Sequence, residues 1–309
     1  NLFGITGGEG TGKSNYVAAI VAGCICPAGA DIDTLGIQIT ANGRHKAVLL
    51  YDTEQSEVQL FKNVGNLLAR ARQPDKPDEL KAFCLTGMSR KERLNAIVQS
   101  MDKFYYQYGG IQLVVIDGIA DLVKSANDEA ESVAVIDELY RLAGIYNTCI
   151  LCVLHFVPNG LKLRGHLGSE LQRKAATILS IEKDEEPTQS VVKALKVRDG
   201  SPLDVPLMLF AWDKEAGMHV YKGEKPREEK EKRKERELVN VARDIFGRQT
   251  RITYIDLCEQ LQQVLDIKER TAKSYIRFMR ERDIITKDTA NQSCFVIGSY
   301  HLQRNASCP

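Results

Sequence analysis

No apolar stretch in this 309-residue chain reaches the roughly 18 residues that a bilayer-spanning helix needs. The longest, VAAIVAGCIC and IYNTCILCVL, are too short and carry polar residues, which argues against helical membrane spans. No secretory signal is visible in these residues, so the cytoplasm is the expected compartment and no membrane partner is expected. The first residue is Asn1 and not Met, so the chain is expected to open mid-protein or after processing. No second CxxC accompanies Cys149 and Cys152, and no His pair stands at zinc spacing. The eight cysteines are therefore read as ordinary buried thiols. Net charge is nearly absent at +1, but it is spread unevenly: −3 over residues 1–222, +1 over 223–237 and +3 over 238–309. A mildly basic C-terminal part permits nucleic-acid contact without establishing it. Internal repeats are lacking too. What remains, 43% hydrophobic and 27% charged residues, is ordinary for a soluble globular protein of about two domains.

The first 222 residues alternate short apolar runs with helical patterns. LFGIT leads into a glycine-rich loop, and KSNYVAAIVAGCI follows as a helix. AVLLYD, AFCLTG, LVVIDG and CILCVLH then read as strands, with helices near 55–72, 89–106 and 132–146 between them. Continuous apolar strands separated by helices predict a mostly parallel sheet covered on both faces. After residue 176, TILSIEK, SVVKALKVR, LMLFAW and MHVY follow one another without helices, which predicts an antiparallel end to the sheet. KGEKPREEKEKRKERE, over 222–237, has mixed charge and no apolar residue. It reads as a solvated linker or the exposed start of a helix, with a DNA-contacting arm as the sharper alternative.

Chemistry enters with GGEGTGKS. Gly7, Gly12, Lys13 and Ser14 fit G-x-x-x-x-G-K-[ST], in the strand–loop–helix context that the pattern requires. Glycines let the backbone wrap closely enough for its N–H groups to face phosphate oxygens, and the next helix presents its positive end to the anion. Gly7, Gly8, Glu9, Gly10, Thr11, Gly12, Lys13, Ser14 and Asn15 are thus the candidate nucleotide-binding residues. Lys13 would reach the β- and γ-phosphates, and Ser14 would bind Mg²⁺. LVVIDG ends in Asp117, a carboxylate placed to hold the other side of Mg²⁺ through water. ATP and Mg²⁺ are the expected cofactors. Hydrolysis needs a base near the γ-phosphate, and in VLLYDTEQS both Asp52 and Glu54 are candidates. His155, at the tip of CILCVLH, is placed to sense the γ-phosphate at the ligand-binding edge of an open α/β sheet.

This order of elements resembles the RecA-like ATPases, and among them the plasmid RepA-type hexameric helicases of mobile elements. The resemblance covers roughly residues 1–220. It favours Glu54 over Asp52 as the catalytic carboxylate, because the family's strand after the first helix ends in a Glu. It matches His155 to a strand-end polar sensor. KALKVRDG resembles the Lys-x-Arg strand of DnaB-like helicases, which makes Arg198 an arginine finger reaching a neighbouring subunit's ATP, with Lys196 as its partner. The plainer alternative is a surface Arg198 paired with Asp199 or Glu182. PNGLKLRGHLGS, 158–169, holds Lys162, Arg164 and His166 among glycines. It reads as a loop gripping single-stranded DNA in a ring or as a solvated connector, and Arg164 is a second finger candidate. The family usually has a strand or helix before the phosphate loop, whereas this chain starts almost on it.

Residues 238–309 resemble a winged helix-turn-helix with its tail. Helices are expected over 237–246, over YIDLCEQLQQVL with Ile255, Leu257, Leu261 and Leu265 near one face, and over 269–282. Ala272, Ile276 and Met279 would face inward, with Lys273, Arg277, Arg280 and Arg282 largely outward. DIITKDTANQSCFVIG reads as strand, turn, strand. In such folds the third helix enters the major groove, so Lys273, Ser274 and Arg277 would face DNA, with Lys287 near the wing. Protein docking is the alternative use.

The fold expected is a RecA-like P-loop α/β domain over 1–222, a charged linker over 223–237 and a winged helix over 238–309. The expected function is an ATP-hydrolysing DNA motor in replication or mobilisation of a mobile element. It would be a homo-oligomer, with a hexamer favoured, and would carry single-stranded DNA in the ring. The rival is an ATP-switched DNA-binding accessory protein that recruits a recombinase or relaxase without unwinding. A small-molecule kinase is a third reading, weakened by the lack of a lid-like Arg cluster.

Overall fold

The computed structural model describes residues 1–155, 165–184, 186–226 and 230–300. The chain divides into two compact units, Asn1–Pro226 and Arg227–Pro309. In the first unit the order is β1 (Leu2–Gly7), α1 (Lys13–Ile25), β2 (Ala47–Asp52), α2 (Glu57–Arg70), β3 (Leu80–Cys84), α3 (Arg90–Tyr108) and β4 (Ile111–Asp117). It continues with α4 (Glu129–Ile145), β5 (Cys149–His155), α5 (Gly165–Lys174), β6 (Thr177–Lys183), β7 (Gln189–Val197), β8 (Leu207–Asp213) and β9 (Met218–Lys225).

The strands form one nine-stranded sheet in the order β3-β2-β4-β5-β1-β6-β7-β8-β9. From β3 to β6 every neighbouring pair is parallel, and from β6 to β9 every pair is antiparallel. This mostly parallel α/β sheet is consistent with the P-loop domain expected from the sequence. The switch occurs where the α-helices stop: parallel neighbours need a crossover, whereas the connections after β7 and β8 return the chain without an α-helix.

Both faces of the sheet are buried, which is why its strands read as continuous apolar runs. On one face Ile5, Val48, Val115 and Val153 pack with Tyr16, Ile20, Leu60 and Leu67 of α1 and α2. On the other, Leu49, Val114, Ile116 and Ile150 pack with Ile97 and Met101 of α3 and with Ile136 and Leu139 of α4. Helix starts follow local chemistry. Ser56 accepts from the Gln59 N–H, Asp128 accepts from the Glu131 N–H, and Ser89 with Glu92 forms a reciprocal capping box.

The second unit holds α6 (Lys230–Arg248), α7 (Tyr254–Leu265) and α8 (Glu269–Glu281), with the short strands β10 (Ile252–Thr253), β11 (Ile285–Lys287) and β12 (Cys294–Ile297). The strands form an antiparallel sheet in the order β10-β12-β11. Leu238, Ala242, Leu257, Leu261, Ala272, Ile276, Met279 and Phe295 make its core. Ile255, expected near the inner face of α7, is 69% exposed.

The charged stretch 223–237 is not a continuous linker. Gly223, Glu224 and Lys225 complete β9, where Glu224 pairs with Met208 and Lys225 with Leu207. From Lys230 the chain is already helical in α6. An edge strand and a solvated helix face both take charged residues, so composition alone does not distinguish them from a linker.

Candidate nucleotide site

The parallel strands carry the candidate residues to one edge. Gly7 ends β1, Asp52 ends β2, Asp117 ends β4 and His155 ends β5. Register brings them level: Gly7 pairs with His155, and Asp52 with Asp117. Asp117 also pairs with Val153, two residues before His155. The order of elements in the sequence thus becomes a row of side chains along the carboxyl edge.

The loop from Gly7 to Gly12 closes onto the start of α1. Gly12 is the N-cap of that helix, with φ +93°. A Cβ there would also stand 2.8 Å from Cε2 of Phe210, so glycine is required twice over. The Thr11 hydroxyl donates to the Gly8 carbonyl at 3.0 Å. Lys13 is buried and donates from Nζ to the carbonyls of Gly7 (3.0 Å) and Gly8 (2.6 Å). Burial lowers its pKa, against the opposing pull of Asp117, Glu54 and Glu9. Glu9 and Gly10 are exposed at the loop's tip, Gly8 and Asn15 are half-buried, and Ser14 is exposed in the first turn of α1.

Asp117 sits partly buried beside Asp52 and Glu54. Burial foremost, and then the two neighbouring carboxylates, push its pKa up to about 7, against the attraction of Lys13. Asp117, Asp52 and Glu54 gather near one cation, Lys13, so the site is short of positive charge, which suits a divalent cation beside Asp117; among the described residues no three His, Cys, Asp or Glu side chains are grouped as a metal cage.

Asp52 and Glu54 do different work. The Asp52 carboxylate is buried and accepts from the N–H groups of Glu54 (3.0 Å) and Gln55 (2.8 Å). It is therefore occupied in shaping the turn after β2. Thr53 fastens this turn to the end of β4, its hydroxyl donating to the carbonyls of Asp117 (3.0 Å) and Gly118 (2.8 Å). Gly118, at φ +100°, lets the two segments meet: a Cβ there would lie 2.7 Å from Cγ of Glu54. Glu54 is left exposed, with Oε2 3.4 Å from Nε2 of His155. The two candidates that sequence order proposed for catalysis and sensing thus face one another.

Arg198 and Lys196 lie elsewhere. Val197 pairs with Thr177, and Thr177 with Phe3, at the edge of the sheet opposite Gly7. There Arg198 donates to the carbonyl of Lys174 at 2.8 Å, and Lys196 to those of Gln172 (2.6 Å) and Arg173 (3.1 Å). Both cations cap the carboxyl end of α5, where the helix dipole favours them. Among the described residues, neither Asp199 nor Glu182 forms an ion pair with Arg198; Glu182 binds Lys193 instead. Lys162 and Arg164 fall outside the described residues, and His166 is exposed at the start of α5.

Sequence reasoning missed two participants in the site's shape. The Asp52 cap had a local signal, an Asp followed two residues later by the N–H it binds. Phe210, which packs against Gly12, had none, because the contact joins β8 to the phosphate loop.

In the second unit, Lys273, Ser274 and Arg277 are exposed on α8 and Lys287 on β11. Lys273 pairs with Glu269 at 2.7 Å and Arg277 with Glu281 at 2.8 Å along the helix.

The sequence model of the AAA-domain family matches residues 2–159, about half of the chain, from β1 to just past His155. The chain belongs to the AAA-domain family. A search of curated proteins found no match. Membership of the AAA-domain family supports ATP binding and a P-loop ATPase activity. Among the described residues, no helix is long and apolar enough to cross a membrane.

Proposed function

We propose that this AAA-domain protein is an ATP-hydrolysing DNA motor of the RepA-like helicase or translocase type, acting in the cytoplasm on a mobile element. The observation that supports this most directly is the meeting of Lys13, Asp117, Glu54 and His155 at one sheet edge.

Lys13, now bonded to the loop's own carbonyls, turns to the β- and γ-phosphates when ATP binds. The loop N–H groups and the start of α1 hold the remaining phosphate oxygens. Ser14 and Asp117 would hold Mg²⁺, which offsets phosphate charge when bound. Glu54, exposed beside His155, takes a proton from the attacking water. His155 contacts Glu54 and so couples the state of the γ-phosphate to the segment that follows β5.

Arg198 sits at the opposite sheet edge from its own phosphate loop, so its role as a finger requires a neighbouring subunit. The homo-oligomer that such a finger needs, with a hexamer favoured, rests on the RepA resemblance. The order of helices and strands in the second unit supports a winged helix. Its α8 would present Lys273, Ser274 and Arg277 to duplex DNA, with Lys287 at the wing. The intrahelical pairs to Glu269 and Glu281 are exposed, and exchanging them for phosphates costs little.

The deciding experiment is the ATPase rate with and without single-stranded DNA, with Lys13→Ala as the blank. Strong stimulation is expected of the motor. Hydrolysis indifferent to single strands refutes it and leaves the ATP-switched accessory protein, to be tested by duplex binding.

A further inference from the structure

The phosphate loop and its acids account for one flank of β1. Glu54 follows the end of β2, and Asp117 and His155 end β4 and β5, so the γ-phosphate end of a nucleotide points to that side. The rest of the molecule must leave the loop on the other side, toward β6 to β9. A connected run of rings begins there. Phe210 lies directly against Gly12 and is fully buried, with Tyr16 of α1 stacked on it at 6.0 Å between centroids. The His219 ring meets Phe210 edge-on at 5.6 Å, and meets Trp212 edge-on at 5.5 Å.

Trp212 is the chain's only tryptophan, and it is 55% exposed. It shares a face of β8 with Phe210, two residues and about 7 Å further along the strand. His219 sits opposite Trp212 in the β8–β9 register, so the indole is braced from one side and open on the other. Two buried polar atoms in this run, Tyr16 Oη and His219 Nδ1, have no hydrogen-bond partner among the described residues. A large exposed aromatic held in place by a second ring offers the flat apolar face that a nucleobase stacks on.

We propose that Trp212, positioned by His219, is the stacking platform for the base of the nucleotide whose phosphates lie in the loop of Gly7 to Asn15. The proposal rests on the reading of that loop as an ATP site, and it adds the element that distinguishes a nucleotide from a bare polyphosphate.

The sole tryptophan makes the test direct. The whole chain is titrated with Mg·ATP and, separately, with inorganic tripolyphosphate, following both heat and Trp212 emission. ATP is expected to bind more tightly than tripolyphosphate and to change the emission, while tripolyphosphate binds without that change. Trp212→Ala is expected to weaken ATP about 10-fold, the size of one base–aromatic stack, and to leave tripolyphosphate binding unaltered. In turnover the same variant raises KM and leaves kcat nearly constant, since the stack is present before and during reaction. Trp212→Phe keeps a ring and recovers most of the affinity, which separates stacking from a folding defect. Calorimetric binding of ATP with unchanged emission, together with wild-type affinity in Trp212→Ala, overturns the platform and leaves the phosphate loop standing. Binding of neither ATP nor tripolyphosphate overturns both.

Discussion

Replacing Asp117 with asparagine should stabilise the first unit in the absence of nucleotide while weakening its function. The carboxyl's pKa is pushed up to about 7, with burial first and then Asp52 and Glu54 as causes. A group whose pKa is raised on folding holds its proton more tightly in the fold than in the unfolded chain. Stability is therefore lost as pH rises from the ordinary carboxylate range to about 7, and the penalty is complete above that. A rise of this size corresponds to about 4 kcal/mol at full burial. Asp117 keeps some contact with solvent, which screens its neighbours, so about 2 kcal/mol is the expected penalty at pH 8. The replacement amide carries no charge and escapes it. The assay is urea unfolding of wild type and Asp117→Asn at pH 5 and pH 8, without nucleotide or Mg²⁺, read by Trp212 emission. The only tryptophan lies in the first unit, so the signal reports that unit alone. The variant should gain about 2 kcal/mol over wild type at pH 8, with the gap shrinking toward pH 5. Excess Mg²⁺ should stabilise wild type at pH 8 and have less effect on the variant. Equal pH profiles for the two proteins would refute the claim that the site holds uncompensated negative charge.

Four other perturbations separate the roles assigned to single residues. Lys13→Ala should abolish nucleotide binding by calorimetry and leave the far-ultraviolet circular dichroism spectrum in place. Glu54→Gln should bind ATP normally but hydrolyse it about 100-fold more slowly or worse, and a rate within a few-fold of wild type would return Asp52 to consideration. Gly12→Ala combines a left-handed backbone with a Cβ 2.8 Å from Phe210, so it should lose about 2–4 kcal/mol in urea unfolding and bind ATP poorly. Arg198→Ala should lose about 1 kcal/mol through the missing cap on α5; mixed with Lys13→Ala it should regain part of its ATPase rate, and no recovery in proven mixed oligomers would leave the cap as its only role.

The row of site residues was legible because parallel topology preserves it. Each strand of a crossover-linked sheet ends at the same edge, so the last residues of LFGITG, AVLLYD, LVVID and CILCVLH had to come together, whatever the helices between them. Helix positions followed from the helical patterns between the apolar runs, and the capping box of Ser89 with Glu92, which the sequence reading did not use, sets the start of α3. The division of labour within YDTE was not legible in the same way. Both carboxylates satisfy the spacing, and only the hydrogen bonds from Glu54 and Gln55 show that Asp52 is engaged in the turn.

The antiparallel strands after β6 carry no such rule. Their order predicts a sheet edge but not which faces meet the phosphate loop. Phe210 reaches Gly12 because β8 returns beside β7, where Ser190 pairs with Phe210. The same return carries Trp212 and His219 to one register position on neighbouring strands. A single amino-acid sequence therefore announces where phosphate chemistry occurs, since that depends on local glycines and strand ends. It does not announce what the loop's other flank recognises, since that depends on side chains gathered from β8, β9 and α1. The pairing of Arg198 with α5 belongs to the same class: its Lys-x-Arg spacing is compatible with a finger, but the carbonyls of Gln172, Arg173 and Lys174 give both cations a purpose within their own chain. Either role satisfies the motif, so only a loss of activity that a second copy restores distinguishes a shared site from a helix cap.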